Sequence, residues 1–398
     1  MGADISGEHT QTGAMAGDEF DDIRPYRDEE VADVIDRLLD DRELLAAVTG
    51  FVLPWLAPML RLRVAPLLGI WLRRRTRHIQ SIRQFQELLE NYFARMVDAS
   101  TEGFTWDGLD QLRPGDAHVF VSNHRDIAMD SGFMNYALWC SGFDTSRSAI
   151  GDNLLRRHSA TDLMRLNKGF VVRRSGSGMK AMYANHMVTS RYIHHSIGEG
   201  QSVWIAQRDG RAKDGLDRTE PAIIKMFHLS QRKTGTFGEA IDRLAIVPVS
   251  VSYEFDPCDL MKARELFITE TEGRYEKPAD EDMKSIVQGI VGFKGRVHLT
   301  FAKRLGADFE TPQDVAAAID RQIIGSCRIH GTHADAFRRS GGTDEMPWLT
   351  RALDDYSAGS RRRFDQRLKE CPEPARQHFL RMYANQVWSR LALDRGEI

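Results

Sequence analysis

Val119-Phe120-Val121-Ser122 is a short apolar run that stops abruptly at Asn123-His124, and two carboxylates, Asp126 and Asp130, follow within six residues. The run is β-branched and aromatic, which predicts a buried strand. Its end sets a histidine at a strand C-terminus, where open α/β sheets bind their ligands. An imidazole there can take a proton from a hydroxyl near neutral pH, and a carboxylate beside it can fix its tautomer. A lone histidine after a strand is more often a surface or capping residue, so this segment alone decides nothing.

Three later segments bear on it. Lys168-Gly169-Phe170-Val171-Val172-Arg173-Arg174-Ser175 reads as a second buried strand that closes on an arginine pair. Val203-Trp204-Ile205-Ala206 runs into Gln207-Arg208-Asp209-Gly210-Arg211, a strand followed by a charged glycine turn. Ala245 to Glu254 is an apolar strand that contains Pro248. In this order the four segments resemble the glycerolipid acyltransferases, the glycerol-3-phosphate and lysophosphatidate acyltransferases. The His124 segment resembles the family's His-(four residues)-Asp motif, with five residues rather than four between His124 and Asp130. Gly169 to Arg174 resembles the strand end that helps bind the acceptor's phosphate, and Arg174 is the better match of the pair. Asp209-Gly210-Arg211 resembles Glu-Gly-x-Arg, with Asp in place of Glu and the arginine directly after the glycine. Val247-Pro248-Val249 resembles the Val-Pro-Val strand that lines the cleft. Gly295 to Phe301 resembles the strand that closes such sheets, so the likeness spans Phe104 to Ala336.

The resemblance implies an α/β fold, with a mixed, mostly parallel sheet flanked by helices and helical N- and C-terminal extensions. It implies transfer of an acyl group from acyl-CoA or acyl carrier protein to a glycerol-phosphate acceptor in phospholipid biosynthesis. Lysophosphatidate is the first choice of acceptor and glycerol-3-phosphate the second. His124 would be the general base and Asp130 the carboxylate that holds its imidazole. Asp126 is the alternative carboxylate, though its place suits a helix cap better. Arg174 and Arg211 would hold the phosphate, because a guanidinium fork matches two phosphate oxygens. Gly169 and Gly210 belong to the same substrate-binding segments. A thioester is already activated, so no metal and no cofactor is implied.

At 398 residues the chain can bury a large core. A formal charge of −3 argues against a nucleic-acid partner. Cys140, Cys258, Cys327 and Cys371 are scattered without a CxxC pair, which suits a reducing compartment and gives no zinc pattern. The first thirty residues are acidic and polar and show no secretory signal. Met1-Gly2-Ala3-Asp4-Ile5-Ser6 fits the bare myristoylation pattern, but the acid that follows makes chance the better reading.

Residues 1–26 are expected to be a disordered acidic segment. Residues 27–100 are expected to be a helical membrane-interface region. From Leu44 to Gln86 there is no Asp or Glu, and apolar runs broken by Pro54, Pro58 and Pro66 alternate with arginines. The first run, Leu44 to Leu60, is about the lower limit for spanning a bilayer and carries two prolines, and the next, Val64 to Leu72, is far too short. They suit a peripheral or monotopic anchor on the cytoplasmic face, with arginines at anionic lipid; a buried helical hairpin is the other reading. Residues 101–336 are expected to form the acyltransferase domain and residues 337–398 a small appended helical bundle. Three alternatives remain at this level. One is a lyso-aminolipid acceptor, suggested by the irregular Asp209-Gly210-Arg211 block. Another is a hydrolase, for which no Gly-x-Ser-x-Gly elbow is present. The third is a non-catalytic membrane-binding protein on a degenerate scaffold, suggested by the extra residue before Asp130.

Overall fold

The computed structural model describes residues 19–52, 57–155, 157–174, 176 and 178–398. The N-terminal stretch before residue 19, Pro54, Ser175 and Ser177 lie outside the described residues. The chain opens with four helices, α1 (Asp28–Asp40), α2 (Arg42–Val52), α3 (Pro58–Thr76) and α4 (Ile82–Ser100). Seven strands follow: β1 (Thr101–Asp107), β2 (Val119–Ser122), β3 (Arg147–Gly151), β4 (Gly169–Val172), β5 (Val203–Ala206), β6 (Val247–Tyr253) and β7 (Gly295–Phe301). Between them lie α5 (Met129–Cys140), α6 (His158–Leu166), α7 (Met179–Gly198), α8 (Pro221–Leu229), α9 (Phe237–Asp242), α10 (Asp259–Glu272) and α11 (Glu281–Val291). The chain ends in α12 (Pro312–Ser326), α13 (Gly331–Arg339), α14 (Pro347–Asp354), α15 (Ala358–Glu370) and α16 (Arg376–Asp394).

The strands form one sheet in the order β1-β7-β6-β2-β5-β3-β4. Each ladder is parallel except β6 with β7, where Val251 faces Leu299. The sheet is therefore mixed and mostly parallel, as the sequence predicts. β2 lies between β5 and β6, with Phe120 opposite Trp204 and Val247. Strand alternation sends side chains to two cores. Val119, Val121, Val203 and Ile205 pack with α7, α8 and α12. Phe120, Trp204, Val249 and Val251 pack with α4 and α5. Burying each such side chain stabilises the fold by about 1.5–3 kcal/mol.

The structure adds two strands that the apolar runs do not predict, β1 and β3. It also corrects the expected disorder of residues 1–26 from residue 19 onward. Phe20 and Ile23 are buried in the same core as β2, and the Ile23 carbonyl accepts the Val171 amide at 2.9 Å. This segment covers the outer edge of β4, whose unpaired amides need partners. The expected boundary at residue 336 falls inside α13. The last helices form a core of their own with Phe255 and Ala263, so they pack against the loops that follow β6 rather than standing apart.

Candidate active site

β2 is buried along its whole length and ends at Ser122. Asn123 then anchors the chain to β6: its Oδ1 accepts the Val251 amide at 2.7 Å, and its Nδ2 donates to the Val251 carbonyl at 3.0 Å. The next residue is His124, partly buried beside the edge of the Trp204 ring, with centroids 6.0 Å apart. Its Nδ1 lies 2.9 Å from Asp130 Oδ2. An ionised carboxylate only accepts, so Nδ1 carries the proton and Nε2 is left as the basic nitrogen.

Asp130 is fully buried in the first turn of α5. Its Oδ2 also accepts the backbone amides of Arg125 at 2.7 Å and Asp126 at 2.8 Å. Its Oδ1 accepts the Tyr253 hydroxyl at 2.8 Å. Burial, and after it the charge on Asp130, pushes the Tyr253 phenol well above its ordinary value, so Tyr253 stays a donor. With four donors on two oxygens, the carboxylate is held in one orientation toward the imidazole.

The extra residue between His124 and Asp130 is absorbed in the turn before α5. Asp126 Oδ1 accepts the amides of Ala128 at 3.0 Å and Met129 at 2.9 Å, which winds the chain into the helix. Asp126 Oδ2 sits against Gly289 on α11, where a Cβ would come within 2.3 Å of it. Burial first, and then the Asp130 charge, raises the pKa of Asp126. Asp126 thus faces the turn and α11, while Asp130 faces His124.

The two arginines reach different neighbours. Both follow parallel strands on the His124 edge of the sheet, yet β4 lies three strand positions from β2, roughly 14 Å at about 4.8 Å per strand. Arg174 forms an ion pair with Asp209, in the loop after β5. Arg211 Nη2 donates to Ser285 Oγ on α11 at 3.4 Å. Gly210 takes a left-handed φ of 72°, which the turn between them requires. Gly169 is a packing position: a Cβ there would meet Ile150 Cδ1 at 2.5 Å and the Met164 carbonyl at 2.6 Å.

Sequence reasoning gave no role to Tyr253, Arg125, Asp217 or Lys262, which surround the same loop. Arg125 Nη2 pairs with Asp217 Oδ2 at 2.7 Å, and both side chains are buried. Burial raises the Asp217 carboxyl to about 6 against the pull of Arg125. No group of ligands suited to a metal ion occurs among the described residues.

A buried strand here delivers a carboxylate-oriented histidine to the C-terminal edge of a parallel sheet, an arrangement with the chemistry to take a proton from a hydroxyl. Residues 103–252, from β1 to β6, match the family described as Acyltransferase. This segment is thus similar to the acyltransferases, and the match leaves the helices on either side of it outside. No curated protein matches the sequence. A solved structure, the 1-acyl-sn-glycerophosphate (LPA) acyltransferase PlsC from Thermotoga maritima, aligns over 71% of this chain and 92% of its own. The identity is 11% and the TM-score 0.37.

Proposed function

We propose that the protein transfers a fatty acyl group from acyl-CoA or acyl carrier protein to the hydroxyl of a glycerol-phosphate acceptor in phospholipid biosynthesis. Lysophosphatidate is the preferred acceptor and glycerol-3-phosphate the second. The observation that carries this reading is the His124–Asp130 contact, made despite the extra residue, inside a segment similar to the acyltransferases.

His124 Nε2 takes the proton of the acceptor hydroxyl, and the oxygen attacks the thioester carbonyl. Asp130 stabilises the imidazolium that forms. The tetrahedral intermediate expels the thiolate, which receives the proton from His124. Arg211, beside the His124 loop, holds the acceptor phosphate together with Arg174.

Such an acceptor is a membrane lipid, and α3 offers a surface for reaching it. Ala65, Gly69 and Thr76 face inward, Gly69 close against Leu45. On the other side Met59, Leu60, Leu62, Leu67, Ile70 and Trp71 are exposed beside Arg63, Arg74 and Arg75. No helix among the described residues is long and apolar enough to cross a membrane. We read this face as a peripheral anchor on the cytoplasmic leaflet, where each arginine contributes on the order of 1 kcal/mol at anionic lipid. High salt or carbonate is expected to strip the protein from membranes, whereas release by detergent alone would mean a deeper insertion.

Thiol release from acyl-CoA with lysophosphatidate tests the reaction itself. Arg211→Ala is expected to raise the acceptor KM by about tenfold or more and to leave the donor KM nearly unchanged, the scale of one lost charge-assisted contact. Arg174→Ala is expected to act in the same sense. A second reading, a lyso-aminolipid acceptor, is favoured by one observation: Asp209 already occupies Arg174. If both variants are silent and an acceptor without phosphate is acylated efficiently, that second reading replaces the first. Thiol release without any acceptor would make the protein a hydrolase.

A further inference from the structure

The loop that carries His124 is gripped from behind by charges that the proposed reaction does not use. Lys262, on α10, is 2% exposed. Its ammonium donates to the Arg125 carbonyl at 2.6 Å and pairs with Asp256. On the neighbouring peptide, the His124 carbonyl accepts the Ala212 amide at 2.8 Å.

These two carbonyls belong to the peptides whose N–H groups serve Asp130. The His124 carbonyl shares a peptide plane with the Arg125 N–H, and the Arg125 carbonyl shares one with the Asp126 N–H. Both N–H groups end on Asp130 Oδ2. Each peptide is thus held at both ends, by Asp130 on one side and by Ala212 or Lys262 on the other. A cation on the carbonyl also polarises the peptide and strengthens its N–H as a donor.

Burying an ammonium is costly unless it is well paired, and an apolar residue of similar size would often serve stability as well. The surroundings nonetheless keep this charge in place. Asp256 Oδ1 accepts the Cys258 amide at 2.8 Å, and the Asp256 amide donates to the Tyr383 hydroxyl of α16 at 3.0 Å. That hydroxyl donates to Asp259 Oδ2 at 2.7 Å, and Arg367 of α15 closes on the same carboxylate. On the far side of the loop, Asn385 of α16 donates to the Asp214 carbonyl at 2.8 Å. At Gly215 a Cβ would meet the Met382 carbonyl at 2.0 Å. The grip therefore reaches α15 and α16, well beyond the residues 103–252 that match the family.

We propose that Lys262 is a positioning residue for acyl transfer: by fixing the Arg125–Asp126 peptide, it aims that N–H at Asp130 and so sets the carboxylate against His124. This rests on the reading of His124 and Asp130 as the catalytic pair. The test is the double variant Lys262→Met with Asp256→Asn, which removes the charge at similar size and strands no lone carboxylate.

Two readouts are taken on the full chain. With acyl-CoA and lysophosphatidate, kcat is expected to fall by about 10- to 100-fold with little change in either KM, the scale of a small misplacement of a catalytic group. Without substrate, the Asp126 amide is expected to exchange with solvent much faster than in the wild type. A folded variant with kcat within about twofold of wild type, or with unchanged Asp126 exchange, overturns the proposal. Should the double variant not fold, the wild type decides. A peptide held at both ends exchanges only through global unfolding, and faster exchange at Asp126 overturns the proposal. If the wild type transfers no acyl group, the functional reading fails, while amide exchange still reports on the grip.

Discussion

His124→Ala is expected to abolish acyl transfer and leave the fold intact. The imidazole sits at the end of β2, not inside a core cluster, and its loss leaves Asp130 with the Arg125 and Asp126 amides and the Tyr253 hydroxyl. No buried acceptor is stranded, so the thermal midpoint should stay near that of the wild type. General-base assistance contributes a factor of about 100 to 10,000, and the rate should fall on that scale. Thiol release by the purified variant, with circular dichroism to show folding, measures both halves. A folded variant that keeps more than about a tenth of the wild-type rate would falsify the assignment of the base.

Asp130→Asn should come close to the same loss. The amide keeps the shape of the side chain but removes the charge that stabilises an imidazolium, a change worth up to about 10,000-fold in a comparable triad. An amide has one accepting oxygen where the carboxylate has two, and four donors converge here. Its NH2 must turn toward Tyr253 or toward the imidazole and the amides. Asp126→Asn is the control. Asn caps a helix about as well as Asp, so this variant should remain within about tenfold of wild type. Steady-state rates of the two variants settle the order. A larger loss at Asp126 would transfer the orienting role to it.

Much of the sheet could be read from local pattern, because β2, β4, β5 and β6 are apolar runs that meet turn signals, while β7 was placed only by resemblance. β1 and β3 could not. β1 is an edge strand with Glu102, Thr105 and Asp107 among its residues, and its pairing is decided by β7, far away in the chain. β3 offers only Ala149 and Ile150 as apolar contacts. The pairing of His124 with Asp130 was legible because both lie in one short segment. Tyr253 and Lys262 were not, since they arrive from 123 residues beyond Asp130 and 137 residues beyond Arg125. In sequence Lys262 lies among other charged residues and nothing marks it; the packing of α10 onto the loop buries it. The Asp209 partner of Arg174 was hidden for a related reason: the match of motifs places both residues near the site but cannot say that they neutralise each other.

The order of the chain has a consequence for a ribosome making this protein. Every strand, and the His124 loop with them, has been synthesised by Phe301. The groups that back that loop, Arg367, Met382, Tyr383 and Asn385, are added only afterwards. The backing of the His124 loop by α15 and α16 is therefore acquired only after the strands of the sheet have been made.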